Sequence, residues 1–215
     1  MRDTENTVSA SQTINQKEKK LLELLESRWS PRSFSDEKIP IDTIVKIFDA
    51  GRTIMSSFNE QPWRVILASK GEVHYHKLYD CLVEFNQKWV KTAPYLGVVL
   101  AKKRFTKKDK PNRHRFYDSG AFMAISTLRA ISLDLFVHQM AGFSTEKAIE
   151  NLNVPADFEP VTMFVIGKKA TPEQLPEDLR KQERKRSNRN QVDDFLFGDR
   201  WGIPYTSSPK INSEE

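Results

Sequence analysis

Two arginines flank a serine in the segment Arg28-Trp29-Ser30-Pro31-Arg32. This combination suits a phosphate, because guanidinium groups form bidentate, charge-assisted hydrogen bonds with phosphate oxygens and a hydroxyl adds a further donor. A basic helix terminus stabilised by the helix dipole would contain the same residues. The segment alone therefore leaves both interpretations open.

A second polar cluster reads Ser-Ser-Phe-Asn-Glu-Gln-Pro-Trp-Arg over residues 56–64. Amide side chains both donate and accept hydrogen bonds, which suits the edge of a heteroaromatic ring, although a hydrogen-bonded turn needs similar residues. A third segment, Gln-Met-Ala-Gly-Phe at residues 139–143, follows a predicted strand. Its small residues would leave backbone N–H groups open to a flat ligand, or would form an ordinary strand-to-helix turn.

Other kinds of catalytic site are not indicated by the sequence. It has no glycine-rich dinucleotide motif, no phosphate-binding loop and no glycine-flanked serine nucleophile. His74 and His76 stand two residues apart in a predicted helix and are expected at the surface rather than on a metal. Cys81 is expected to be a buried structural thiol. We therefore predict no catalytic side chain and no metal ligand, so that an enzyme of this sequence would depend on a bound cofactor.

Helical and strand patterns alternate along the chain and predict an α+β or α/β sandwich with one sheet. The predicted helices lie around residues 21–25, 41–48, 75–85, 120–131 and 148–152, the last capped by Ser144, and the predicted strands at 65–68, 95–101, 135–138 and 161–166. The small residues of the helix that begins near Gly120 would admit either a neighbouring helix or a flat ligand.

Length and composition indicate one domain of 215 residues with 38% hydrophobic content. We predict a disordered tail over residues 1–18 and a single domain over 19–215. No apolar stretch approaches the roughly 20 residues of a membrane span. With a single cysteine and no signal peptide, the chain is expected in the cytoplasm, without a membrane partner.

The net charge of +5 is concentrated in basic runs at residues 102–110 and 180–189. Such runs are typical of solvated faces or loops, and anionic cofactors or nucleic acid are the functional alternatives. A nucleic-acid-binding protein would bind in a salt-sensitive way. Because aromatic residues do not interleave with the basic runs as stacking platforms would, we predict no nucleic-acid partner. The loop at residues 102–112 is a candidate lid.

Taken in order, these segments resemble the nitroreductase family. The likeness rests on the Arg-x-Ser-x-Arg motif, the specific Ser-Ser-x-Asn-x-Gln-Pro-Trp motif and several shorter matches between residues 21 and 203. The shorter matches are Asn86-Gln87-x-Trp89, Ala93-Pro94, residues 138–143, Val154-Pro155, Glu159-Pro160, Gly167, Arg189 and Trp201-Gly202. The resemblance implies a nitroreductase-like α+β sandwich with a central, mainly antiparallel sheet flanked by helices. It also implies a C-terminal arm exchanged in an intertwined homodimer.

The resemblance implies non-covalently bound FMN at the interface of that homodimer. Arg28, Ser30 and Arg32 would hold its phosphate and ribityl end, and Arg189 would add a phosphate contact. Asn86 would bond the polar edge of the isoalloxazine.

The remaining implied contacts come from two short segments. Ser56, Ser57 and Asn59 would be supplied by the partner subunit. The backbone of Ala141 and Gly142 would lie near flavin N5, and Ala141 supplies no carboxylate there, unlike the acidic residue of some family members.

The activity implied by the resemblance is an FMN-dependent oxidoreductase. NADH or NADPH would supply the hydride, and a nitroaromatic, a quinone or a related small molecule would accept it. We expect a ping-pong mechanism, since both substrates would stack on the same flavin face in turn. Alternatives within the fold are dehalogenation, azoline oxidation and flavin breakdown.

Overall fold

The computed structural model describes residues 3–185 and 187–205, with side chains from residue 15 onward. The helices of these residues are α1 (Asp3–Ser27), α2 (Ile41–Gly51), α3 (Val73–Tyr79), α4 (Glu84–Val90), α5 (Arg115–Ile131), α6 (Thr145–Asn151) and α7 (Glu177–Glu183). The strands are β1 (Trp63–Ser69), β2 (Tyr95–Lys102), β3 (Phe136–Met140) and β4 (Phe158–Gly167). Short 3-10 turns lie at Ser57–Asn59, Pro172–Gln174 and Val192–Asp194.

The four strands form one antiparallel sheet in the order β1-β2-β4-β3. Its register pairs Val65 with Val99, Tyr95 with Ile166, and Val137 with Ile166. Strand β2 is buried over almost its whole length and β4 over its last five residues, which explains why these stretches are continuously apolar rather than alternating.

Hydrophobic residues fill a layer on each face of the sheet. Leu96, Val98 and Leu100 of β2 belong to the layer that contains Trp89 of α4. Their neighbours Tyr95 and Val99 belong to the opposite layer, with α2 and α5. This alternation is the two-residue period of a strand, and it produces the α+β sandwich that the sequence predicts.

Two helices differ from their predicted bounds. The predicted helix over residues 75–85 is two helices, because the chain turns between them to pair Leu82 with Phe143 in a β-bridge. Helix α1 begins at Asp3 rather than near Leu21, in a stretch without proline or glycine. It runs through the predicted tail, and the domain boundary at residue 18 stays a prediction.

Several local predictions are confirmed. Ser144 caps α6 by accepting a hydrogen bond from the Lys147 backbone N–H at 3.1 Å. Cys81 is buried, whereas His74 and His76 are exposed. In the described part of the chain, no helix has the length and apolarity needed to cross a membrane.

The chain divides into two compact units, one ending at Glu183 and the other beginning at Arg184. In the second unit a β-bridge joins Phe197 to Pro204, and the rings of Phe197 and Trp201 lie 4.9 Å apart. Trp201 is nevertheless 89% exposed.

Candidate functional site

The segment that carries the arginine motif is attached to the chain that follows β4. The Ala170 N–H donates to the Ser33 carbonyl at 2.9 Å, and the Ser35 N–H donates to the Lys168 carbonyl at 2.9 Å. The Ser33 hydroxyl donates to the Thr171 carbonyl at 2.5 Å. These bonds hold residues 33–35 in an extended conformation alongside residues 168–171, and so fix the direction of the preceding arginines.

Glu183, the last residue of α7, fixes the same segment from a second direction. Its carboxylate is buried and accepts the Arg32 N–H through both oxygens at 3.0 Å, and the Ser33 N–H at 3.4 Å. A buried carboxylate requires such donors, because leaving it unpaired away from water is costly. This role has no signal in the sequence, since Glu183 lies among many charged residues of a polar stretch.

His138 of β3 joins the segment to the sheet. Its Nδ1 lies 2.8 Å from the Pro31 carbonyl, which can only accept, so Nδ1 carries the proton. Burial is the main cause that lowers the pKa of His138 to about 4. The charge of Arg32 adds to this lowering, and backbone hydrogen bonds oppose it. The ring is therefore neutral at pH 7 and packs 4.6 Å from the Trp89 ring.

A cavity of about 310 Å³ opens beside this segment. Arg28 and Ser30 line it on one side, and Gln139 of β3 on another. The Arg28 Nη1 donates to the Ser30 hydroxyl oxygen at 3.3 Å, so the two predicted phosphate contacts already lie together.

Helix α5 contributes to both the cavity and the core. Ala124 and Thr127 line the cavity, whereas Phe122 and Ser126 pack against Gly51 of α2. The helix therefore packs against a neighbouring helix on one side and borders the cavity with Ala124 and Thr127, while a flat ligand at these residues stays a prediction.

Arg32, two residues along the chain from Ser30, has an unsatisfied donor. Its Nε is buried and has no hydrogen-bond partner among the described residues, while its backbone is held by Glu183. The guanidinium carbon lies 5.8 Å from the centre of the Phe85 ring at the start of α4. A buried N–H donor without a partner is costly, and an anion bound there would satisfy it.

The turn after β3 packs against α4 without room for a side chain. A Cβ on Gly142 would lie 2.7 Å from Asn86 Nδ2 and 2.9 Å from Val83 Cγ2. The Gly142 carbonyl accepts hydrogen bonds from Asn86 Nδ2 at 3.0 Å and from the Val83 N–H at 3.1 Å. The Asn86 side-chain oxygen also accepts a hydrogen bond from Trp89 Nε1 at 3.3 Å. Asn86, which the sequence predicts to contact the flavin, therefore also holds the turn in place through the Gly142 carbonyl.

The Ser56–Gln61 loop lies elsewhere in the chain. Its backbone is left-handed at Phe58, Asn59 and Gln61, with φ of 54°, 55° and 49°. Such conformations cost about 1–3 kcal/mol each in non-glycine residues and concentrate at functional sites. Ser56 accepts the Gln61 N–H at 3.0 Å, which closes the loop on itself.

Buried Asp118 of α5 attaches this loop to the protein by accepting the Ser57 N–H at 3.0 Å. Ser57 lines a second cavity, of about 400 Å³, which shares no lining residue with the first. Within one chain, the structure therefore does not bring Ser56, Ser57 and Asn59 to the cavity of Arg28 and Ser30. Sequence patterns gave no indication of the role of Asp118.

Arg189 belongs to the second unit, where its Nη1 donates to the Ser187 carbonyl at 3.2 Å and to the Asn188 carbonyl at 3.4 Å. Its phosphate contact stays a prediction.

The structure thus brings Arg28 and Ser30 together at one cavity, which Gln139 of β3 also lines. The Ala141–Gly142 turn follows β3 directly and packs against Asn86. A single site that unites these residues with Arg32 stays a prediction.

Comparison with known proteins identifies the family and the fold. The model of the nitroreductase family matches residues 25–82, which include both polar motifs. The solved structure of an oxidoreductase containing FMN is 30% identical, covers 84% of this chain and 92% of its own, and superposes with a TM-score of 0.79. A nitroreductase family protein of Clostridium difficile 630 has the same fold at 20% identity and a TM-score of 0.64, over 83% of this chain and 97% of its own.

A curated relative is an uncharacterised 15.4 kDa protein of Mycolicibacterium smegmatis, which is 27% identical over 96 residues. That match spans 45% of this chain and 65% of the relative, which is less than two thirds of its length. The fold is that of the α+β class to which the FMN-containing oxidoreductase belongs. The chain belongs to the nitroreductase family.

Proposed function

We propose that the protein is an FMN-dependent oxidoreductase, which takes a hydride from NADH or NADPH and reduces a nitroaromatic, a quinone or a related small molecule. The observation that carries this proposal is the meeting of Arg28 and Ser30 with Gln139 around one cavity. Arg32, two residues after Ser30, has a buried Nε without a hydrogen-bond partner among the described residues. These groups fit the phosphate end of FMN, because the site offers guanidinium and hydroxyl donors in a partly desolvated position.

The residues of the turn after β3 fit the ring of the same cofactor. Gly142 leaves the backbone approachable, and Asn86 retains one amide hydrogen after bonding the Gly142 carbonyl. Bound FMN would supply reversible hydride transfer. The residues of the chain would bind and orient the FMN and keep water from its phosphate end. The turn after β3 would direct its backbone N–H groups toward the flavin ring.

The proposal includes a homodimer in which the Ser56–Asn59 loop of one subunit contacts the flavin of the other. The separation of the two cavities within one chain supports this arrangement. No residue of the loop lines the first cavity of its own chain, so contact with a flavin there would have to come from a partner subunit. Exposed apolar side chains on α1 (Leu21, Leu22 and Leu25) also support an assembly. The second unit exposes Phe195 and Trp201 in the same way, as an exchanged arm would.

The test is an absorbance spectrum of the purified protein before and after anaerobic addition of NADPH or NADH. We expect oxidised-flavin bands that bleach, and a dimer in sedimentation. Arg32→Gln should weaken FMN binding by about 10-fold or more, since a charge-assisted hydrogen bond contributes about 1.5–3 kcal/mol. Arg52→Gln, at an exposed arginine paired with Asp49, is the matched control. A colourless protein that binds no added FMN would refute the proposal.

Turnover assays distinguish this activity from others of the same fold. Steady reduction of a quinone or a nitroaromatic by NADPH or NADH supports the proposed reaction, and parallel initial-rate lines support the ping-pong order. Flavin that bleaches but passes no electrons to either class of acceptor would leave dehalogenation, azoline oxidation or flavin breakdown as the reaction.

A further inference from the structure

The second cavity, of about 400 Å³, lies between the Ser56–Gln61 loop and the loop that leads into α5. Lys108, Lys110 and Arg113 line it, together with His114 and the rings of Phe58 and Phe105. No carboxylate is among its lining residues. A concave site of this size, with three fixed positive charges and two aromatic rings, has the character of a binding site for an anionic aromatic molecule.

The cations of this cavity are not neutralised by any carboxylate of the described residues. Over residues 15–185 and 187–205, no ion pair joins Lys108, Lys110 or Arg113 to a carboxylate. Lys108 instead places its Nζ 4.4 Å from the centre of the Phe58 ring. The three charges therefore remain available to an anion.

The neighbouring acidic groups already have other partners. Asp109 pairs with Arg104 at 2.6 Å, and Asp118 accepts the Ser57 N–H. Glu60 accepts the Thr106 N–H through both oxygens at 3.0 Å and lies 3.8 Å from Lys102. Because these carboxylates are paired with other groups of the two loops, they stabilise the loops that surround the cavity and do not pair with its three cations.

The aromatic part of the cavity is built from Phe58 and Phe105, whose rings lie edge to face at 5.6 Å. The Phe58 side chain is 78% exposed. Its backbone is left-handed, a conformation that is costly for a bulky residue. Glu60 and Thr106 tie together the two loops that carry these rings. The structure therefore maintains an exposed ring beside the cations, where a heteroaromatic base could stack.

We propose that this cavity binds a nucleoside carrying a phosphate monoester, namely the adenosine 2′-phosphate of NADPH, and that the protein therefore uses NADPH in preference to NADH. A monoester carries close to two negative charges at pH 7 and accepts several charge-assisted hydrogen bonds, which three cations can supply. The base would stack on Phe58. The assignment to a hydride donor rests on the proposed function, whereas the recognition of a phosphorylated nucleoside does not.

The direct test is calorimetric titration of the purified protein with 2′-AMP, with adenosine as the uncharged control. We expect 2′-AMP to bind at least about 10-fold more tightly than adenosine, and the difference to shrink at high salt. The double variant Lys110→Gln/Arg113→Gln should lose that difference. Lys107→Gln, an exposed lysine of the same loop that does not line the cavity, should retain it.

The kinetic test compares kcat/KM for NADPH and NADH. We expect the wild-type ratio to favour NADPH and to fall roughly 10- to 100-fold in the double variant, as two charge-assisted contacts are lost. Phe58→Asn should lower kcat/KM for both nucleotides and leave their ratio unchanged, because adenine is common to both and asparagine tolerates the left-handed backbone.

Each outcome decides the proposal. Equal binding of 2′-AMP and adenosine would overturn it, as would a 2′-AMP site that leaves the NADPH to NADH ratio unchanged on mutation. Binding of single-stranded RNA more tightly than 2′-AMP, lost in the double variant, would overturn it in favour of nucleic acid. If the protein carries no reducible flavin, the proposed function fails, and the titration still decides whether the cavity recognises a phosphorylated nucleoside.

Discussion

Both carboxylate oxygens of Glu183 accept the backbone N–H of Arg32 at 3.0 Å. The two residues are 151 positions apart, so this contact joins the end of the first compact unit to the segment proposed to bind phosphate. The Glu183 carboxylate contacts the backbone of Arg32 and not its guanidinium group. The carboxylate therefore orients a cation without neutralising it through a side-chain ion pair.

Glu183→Ala is expected to lower the free energy of unfolding by about 1–3 kcal/mol and to weaken FMN binding, because the backbone N–H groups of Arg32 and Ser33 lose their acceptor. Denaturant unfolding and FMN titration measure the two effects. Glu177→Gln, an exposed residue of the same helix, should change stability by no more than about 0.5 kcal/mol. Equal FMN affinity in Glu183→Ala and wild type would show that the contact does not position the site.

The fold was largely predictable because its elements follow strong periodic patterns. The runs at residues 95–101 and 163–166 are continuously apolar, and they lie in the two central strands. The break between α3 and α4 was not predictable, because Tyr75, Leu78, Leu82 and Phe85 keep a helical spacing across it. That break depends on the bridge from Leu82 to Phe143, a tertiary contact that local spacing does not encode.

The candidate site was predictable where it rests on contiguous motifs. Arg28 and Ser30 line one cavity as the local chemistry suggests. Glu183 and Asp118 could not be found, since each is an isolated acid whose function is to accept backbone N–H groups from a distant segment. A sequence shows the residue type but not which backbone donors the fold brings to it.

Stability should depend on pH through His138. Its pKa falls from 6.5 to about 4 in the folded protein, so between these values only the unfolded state takes up the proton. The contribution of His138 to the free energy of unfolding is therefore constant above about pH 6.5, and the free energy of unfolding decreases as the pH falls toward 4. The expected loss from this residue between pH 7.5 and pH 5 is about 2 kcal/mol.

The measurement is urea unfolding at both pH values for wild type and His138→Gln. The variant should show a pH dependence smaller by about 2 kcal/mol. His74→Gln, at an exposed histidine, should behave as wild type. An unchanged pH dependence in His138→Gln would contradict the assignment of a buried neutral ring.

Two glycines make a matched pair for substitution by alanine. Gly142→Ala should destabilise the protein by about 1–3 kcal/mol and reduce FMN retention, because the new Cβ would lie 2.7 Å from Asn86 Nδ2. Gly120→Ala should stabilise it by about 0.5–1 kcal/mol, since Gly120 is in an exposed helical position with no atom within 4 Å of the new Cβ. Thermal unfolding with and without added FMN measures both, and a tolerated Gly142→Ala would show that the turn relaxes freely.

Asp118 should control the order of the Ser56–Gln61 loop. Its buried carboxylate accepts the Ser57 N–H next to three left-handed residues, so Asp118→Ala leaves a strained loop without its attachment to α5. We expect amide hydrogen exchange in residues 56–61 to accelerate by roughly 10-fold, which corresponds to the loss of about 1.4 kcal/mol of local stability. Asp36→Asn, at an exposed aspartate, is the control. If the loop exchanged at the wild-type rate in Asp118→Ala, its conformation would have to be maintained by its own hydrogen bonds and by the contact of Glu60 with Thr106.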